Sequence, residues 1–125
     1  MKKPNFIIMG FPKCGSTALH YYLDAHPKIY MPNKKELHFF TQPNLSKLNK
    51  GPGDVLANKN LTKDLNEYLK FFKNVKNQKT VGETSPSYIN YPKCFEKIKD
   101  SLGDPKIIIL LRDPIKRAYS NYLHL

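Results

Sequence analysis

Phe6-Ile7-Ile8-Met9-Gly10-Phe11-Pro12-Lys13-Cys14-Gly15-Ser16-Thr17 is the stretch that decides the fold. An apolar run leads into a glycine-bracketed loop, and the loop opens a helix. A buried strand feeding such a loop aims backbone N–H groups and a helix N-terminus at one point, an arrangement suited to phosphate or sulfate. Gly10 and Gly15 have the spacing of the nucleotide-hydrolase loop G-x-x-x-x-G-K-[ST], but Ser16 stands where that loop carries its lysine. The lysine lies inside the loop, at Lys13. The fold element is shared, and chemistry other than ATP hydrolysis is expected.

Working outward, Asn5 to Met9 predicts a first buried strand, and Ser16 to Ala25 a helix with Leu19, Tyr22 and Leu23 toward the core. Pro27 ends that helix by disfavouring helical geometry at His26. Lys28 to Met31 predicts a short extended piece, and Thr41 to Asn60, rich in turn formers, a long loop. Leu61, Leu65, Tyr68 and Phe72 recur at helical spacing, which predicts an amphipathic helix over Thr62 to Asn74. Thr80 to Glu83 is a strand candidate. Pro92 to Leu102 is a helix closed by Gly103, with Phe95, Ile98 and Leu102 as its apolar stripe. Lys106 to Leu111 carries five consecutive branched apolar residues and predicts a strand buried on both faces of a parallel sheet. Asp113 and Pro114 then start a new helix. Strands alternating with helices give an α/β fold with a mainly parallel sheet, in one domain over residues 1–125.

The chain has 125 residues with 40% apolar and 12% aromatic content, enough for one core. Its 21 basic and 10 acidic residues leave a net charge of +11, which favours an anionic partner. No run approaches the roughly 18 apolar residues of a membrane span. The few apolar residues before Gly10 fall short of the roughly 7–15 of a signal peptide, so a cytoplasmic location is expected. Cys14 and Cys94 lack metal-site or disulfide-framework spacing. No nucleic-acid-binding motif is present.

Three clusters carry candidate chemistry. Lys13, Gly15, Ser16 and Thr17 form the anion loop. Cys14 lies within it, but a cysteine-phosphatase loop carries an arginine where His20 stands, so Cys14 is read as lining the loop. Arg112, at the end of the last strand, offers a planar fork for phosphate, and Ser120 lies farther along the following helix. Both clusters follow buried strands, which places them on one rim of the sheet, where ligands of such folds bind. Glu36 and His38 form the third cluster. In an extended segment they point the same way, and a carboxylate beside an imidazole suits general-base work. Taken alone, Glu36 and His38, like Glu83 and Thr84, are read as a solvated polar stretch.

Together these clusters resemble the sulfotransferases that use 3′-phosphoadenosine-5′-phosphosulfate (PAPS), with the segment order of the heparan sulfate branch and its bacterial relatives. The resemblance runs from Phe6 to Tyr122. It rests on the Gly10–Thr17 loop, on Glu36-Leu37-His38-Phe39-Phe40, and on Arg112-Asp113-Pro114-Ile115-Lys116-Arg117-Ala118-Tyr119-Ser120-Asn121-Tyr122. It implies a P-loop-type three-layer α/β fold and metal-free sulfuryl transfer to a hydroxyl or amine acceptor, with carbohydrate as a candidate. It also implies that Lys13, Cys14, Gly15, Ser16 and Thr17 hold the 5′-phosphosulfate, that Arg112 and Ser120 hold the 3′-phosphate, and that Lys13, Glu36 and His38 are catalytic. PAPS, or its product adenosine 3′,5′-bisphosphate, is the implied ligand.

Glu83 to Tyr88 resembles the family segment E-K-[ST]-P-x-Y, with Thr84 in place of its lysine. Family domains also continue past the helix that follows Arg112. These departures imply a chain truncated at its C-terminus. They leave a second reading open, a catalytically incomplete nucleotide- or polyanion-binding relative. A sheet ending on the Lys106–Leu111 strand also predicts an unpaired edge and self-association into homo-oligomers.

Overall fold

The computed structural model describes residues 2–11, 15–45 and 64–111. Four strands form one sheet in the order β2-β3-β1-β4: β1 is Phe6–Gly10, β2 Ile29–Tyr30, β3 Thr80–Thr84 and β4 Lys106–Leu110. Every pairing is parallel. The expected parallel α/β sheet is therefore present.

β1 is central and buried along its whole length, which is why Phe6 to Met9 is an unbroken apolar run. Its side chains alternate between two cores. Ile7 and Met9 pack with Leu37, Phe40, Tyr68, Phe72, Val81, Tyr88 and Ile98. Phe6 and Ile8 pack on the opposite face with Met31, Leu19 and Leu23. Helix α1 (Ser16–Asp24) thus covers one face, while α3 (Leu65–Lys70) and α4 (Cys94–Leu102) cover the other, giving three layers. The Phe6 ring lies directly over Gly82, where an added Cβ would sit 2.1 Å from its Cζ.

Several expectations need correction. In α1 the inward line is Ser16, Leu19, His20 and Leu23, at helical spacing, and Tyr22 points to solvent. Part of the expected long loop is ordered as a 3₁₀ turn, Phe39–Thr41, and a single helical turn, α2 (Gln42–Leu45). The amphipathic helix is shorter than its periodicity suggests. Asp64 caps α3 by accepting the Glu67 N–H at 2.7 Å, and after Lys70 the chain tightens into turns. Phe71, Phe72 and Lys73 there bond back to the carbonyls of Tyr68, Leu69 and Lys70, which turns Phe72 into the core. Pro92 lies two residues before α4, and Gly103 ends it at φ 84°. Phe95 of the expected stripe is exposed, and Cys94 takes the inward position. β4 is not buried on both faces. Among the described residues it lies at one edge of the sheet, and Ile107, Ile108 and Ile109 are 37–50% exposed. Its apolar sequence suits a parallel ladder, but burial also depends on the layers above and below it. The helix expected from Asp113 lies outside the described residues.

Candidate active site

Parallel strands deliver their C-terminal ends to one rim. Gly10 of β1 is in register with Leu110 of β4, and Ile8 with Thr84 of β3. The loop toward Gly15, the segment toward Arg112 and the β3 exit at Ser85 therefore leave the sheet together, as ligand sites in such folds require.

The α1 start is built for an anion. Gly15 adopts φ 93°, in the left-handed region open to glycine, and nothing lies within 4 Å of where a Cβ would be. Among the described residues no side chain caps α1, and no acidic residue occupies its first turn, so the positive end of the helix dipole is left without an acidic partner there. Thr17 lies in this turn, and its Oγ1 accepts a hydrogen bond from Lys35 Nζ at 3.0 Å. Among the described residues, space over the glycine, uncapped amides and a nearby ammonium suit an anionic group such as a phosphate or sulfate.

Lys35 connects this start to Glu36 and His38. Its Nζ is 3.5 Å from Glu36 Oε1, and His38 Nε2 is 3.9 Å from Glu36 Oε2. Glu36 and His38 do meet, through a turn and not through the extended geometry that alternation would use. Both are left-handed, at φ 61° and 53°, and they are the non-glycine residues with positive φ among those described. Buried Leu37 anchors the turn between them. The His38 contact, reinforced by the charge of Lys35, holds the Glu36 carboxyl down to about 2 against the opposing effect of partial burial. Glu36 is thus a carboxylate across the physiological range.

The turn is fixed from beneath by β3 and the residues after it. The Glu36 N–H donates to the Thr84 carbonyl at 2.6 Å, and the His38 N–H to Ser85 Oγ at 2.9 Å. His38 Nδ1 and Thr41 Oγ1 both meet Ser87 Oγ, at 2.6 and 2.7 Å. The Ser85 hydroxyl donates to Glu83 Oε1 at 2.5 Å. Tyr88 Oη donates to the same carboxylate at 3.1 Å and accepts the Phe40 N–H at 3.4 Å. Tyr68 supplies a third hydroxyl, to Glu83 Oε2. Glu83 is fully buried, and burial raises its carboxyl affinity for a proton, against the bonds from Ser85, Tyr68 and Tyr88. The sequence favours a solvated Glu83, and the structure overturns that reading. Thr84, likewise, is buried. Its hydroxyl meets His20 Nδ1 at 2.8 Å, while His20 Nε2 donates to the Pro32 carbonyl at 3.2 Å. Burial lowers the His20 proton affinity.

Of the residues expected from sequence, Gly15, Ser16, Thr17, Glu36 and His38 are described, and Lys35 brings Thr17 and Glu36 together. Lys13, Cys14, Arg112 and Ser120 lie outside the described residues. Sequence reasoning missed Lys35, Ser85, Ser87 and the role of Glu83. The available signal was Glu83-Thr84-Ser85-Pro86-Ser87-Tyr88, where hydroxyls crowd around one acid.

A profile of the Sulfotransferase family matches residues 4–125. The membrane-associated sulfotransferase kil1 of Dictyostelium discoideum is 36% identical over 122 residues, covering 95% of this chain and 22% of kil1. The human bifunctional heparan sulfate N-deacetylase/N-sulfotransferase 2 is 30% identical over 128 residues, covering 97% of this chain and 13% of its own length. The crystal structure of a sulfotransferase from Alicyclobacillus acidocaldarius superposes with a TM-score of 0.93 at 42% identity, over 100% of this chain and 51% of that one. The chain thus spans about half of that solved chain and less than a quarter of these two curated relatives. With nearly its whole length matched by the profile, the chain belongs to the sulfotransferase family.

Proposed function

We propose that this chain transfers a sulfuryl group from PAPS to a hydroxyl or amine, with a carbohydrate as the acceptor class. The observation that carries this reading is the chain of contacts from Thr17 at the anion-facing start of α1, through Lys35, to the Glu36–His38 pair. It sets a cationic anion cradle directly beside an ionised carboxylate. The heparan sulfate and carbohydrate names borne by several relatives support the acceptor class.

When bound, PAPS supplies an electrophilic sulfur and a phosphate leaving group. The α1 amides, Thr17 and Lys13 hold that end, and Arg112 and Ser120 hold the 3′-phosphate. Glu36 takes the acceptor proton, and His38 keeps the Glu36 carboxylate oriented. A carboxylate held near 2 is a weak base, so it takes the proton late, as the bond to sulfur acidifies the attacking group. Lys13 offsets charge on the departing phosphate, and losing such a preorganised donor lowers rates by about 10²–10³.

Isothermal titration tests the donor class. Adenosine 3′,5′-bisphosphate is expected to bind without metal and ahead of ATP–magnesium, and preference for ATP–magnesium refutes the assignment. Lys13→Ala is expected to abolish transfer while preserving the melting transition. A second reading, binding without transfer, is favoured by one observation: the Thr84 hydroxyl is engaged with His20, so β3 offers no cation at this position. Tight bisphosphate binding with no turnover across an acceptor panel would select it.

A further inference from the structure

A carboxylate with no exposure is a poor way to fill a core. An apolar side chain of similar volume packs there without desolvating a charge. What Glu83 adds is direction. Ser85 has one hydroxyl proton, and it goes to Glu83 at 2.5 Å. The Ser85 oxygen is thereby left with lone pairs for the His38 N–H, at 2.9 Å. Tyr88 repeats the pattern: its single proton goes to Glu83 and its oxygen accepts the Phe40 N–H. One buried acid therefore sets the polarity of two hydroxyls, and each hydroxyl holds an amide of the same short strap. That strap holds Glu36 and His38 in left-handed conformations that non-glycine residues adopt only when their surroundings enforce them.

We propose that Glu83 is a positioning residue for sulfuryl transfer: through the Ser85 and Tyr88 hydroxyls it fixes the turn that presents Glu36 to the acceptor and His38 to Glu36. Glu83 acts from behind the site and touches no substrate. The proposal rests on the reading of Glu36 as the base, and it is independent of which donor occupies the α1 start. Tyr68 also donates to the Glu83 carboxylate, and it bonds no strap amide among the described residues. Removing the Tyr68 hydroxyl therefore perturbs the buried acid without cutting its link to the turn.

Three readouts on the full chain test this. Ser85→Ala cuts the link to His38 and leaves Glu83 in place. Carbon-13 NMR of the Glu36 carboxyl reports the turn directly. In the wild type Glu36 stays ionised at about pH 3.5, whereas in Ser85→Ala its midpoint rises toward the ordinary glutamate value near 4.3 as His38 swings away. The turnover number falls by about tenfold to a hundredfold, as expected when a reacting group is misplaced by about an ångström. Affinity for adenosine 3′,5′-bisphosphate stays within about twofold, because the α1 start is not part of the relay. Tyr88→Phe, which frees the Phe40 amide, moves the same readouts in the same direction. Tyr68→Phe lowers the melting temperature and leaves the Glu36 midpoint in place. A Glu36 midpoint unmoved in both Ser85→Ala and Tyr88→Phe overturns the proposal. So does loss of turnover and bisphosphate affinity in proportion to lost stability. If the wild type fails to bind the bisphosphate, the donor assignment falls while the Glu36 midpoint still decides the relay.

Discussion

Replacing Glu36 or His38 by glycine should leave a more stable chain than replacing it by alanine, the reverse of the usual order. Both substitutions delete the side chain, so ion pairs with Lys35 and the contact with Ser87 are lost equally. The two variants differ only in the backbone. At φ 61° and 53°, an alanine Cβ retains the left-handed penalty of about 1–2 kcal/mol per residue, and glycine escapes it. Glycine in turn loses about 0.4–1 kcal/mol through the greater freedom of its unfolded chain. The net advantage of glycine is about 0.5–1 kcal/mol at each position. For a domain of this length that is a melting difference of about 2–5 °C. In ordinary helix or strand interiors alanine wins by about 0.5–1 kcal/mol. Urea unfolding followed by circular dichroism at neutral pH, on the pairs Glu36→Ala with Glu36→Gly and His38→Ala with His38→Gly, reads the sign directly. Alanine equal to or better than glycine at both positions would refute the claim that the strap is held in a strained turn. All four variants should lose transfer alike, so a separate transfer assay should show no difference where stability does.

Acid should weaken the fold through His20. Burial lowers its proton affinity, so as pH falls below about 6.5 the unfolded chain takes the proton first. The stabilisation is complete above that pH and drains away below it, and in urea titrations His20→Gln should flatten the decline between about pH 7.5 and 5. An equally steep decline in the variant would exonerate His20. Gly82→Ala should destabilise by about 1–3 kcal/mol, because its Cβ would meet the buried Phe6 ring. Adding Phe6→Leu should recover part of that loss, and strictly additive effects would remove the ring as the cause. Ile109→Lys on the exposed edge strand should reduce self-association in sedimentation velocity. A wild-type chain already monomeric at about 100 μM would contradict this.

The sheet was legible because its signals are local. Phe6 to Met9 is apolar throughout, so it had to be a strand covered on both faces, and its side chains do alternate between two cores. The same inference does not hold for Ile107 to Leu111, where an equally apolar run lies at the edge of the sheet formed by the described residues. Composition reports suitability for a parallel ladder, while burial is decided by strand order, which no five-residue pattern encodes. The acid–base pair was legible only as a pair. Its presentation depends on Thr84, Ser85 and Ser87, more than forty residues away, which is why an extended segment was expected where two left-handed residues stand. Glu83 was hardest to read, since carboxylates are rarely interior. Yet three neighbouring features pointed inward together: Val81 on the core face of the same strand, and hydroxyls at Ser85 and Tyr88 able to satisfy an acid without water. In a sheet of period two, Glu83 shares the side of Val81, so either the strand is bent or the acid is buried. The unbroken register of Phe6, Ile7 and Ile8 with Gly82, Glu83 and Thr84 leaves no bulge to shift the alternation. The acid is therefore interior by the same alternation that places Val81, and its chemistry has to be sought in the hydroxyls that surround it.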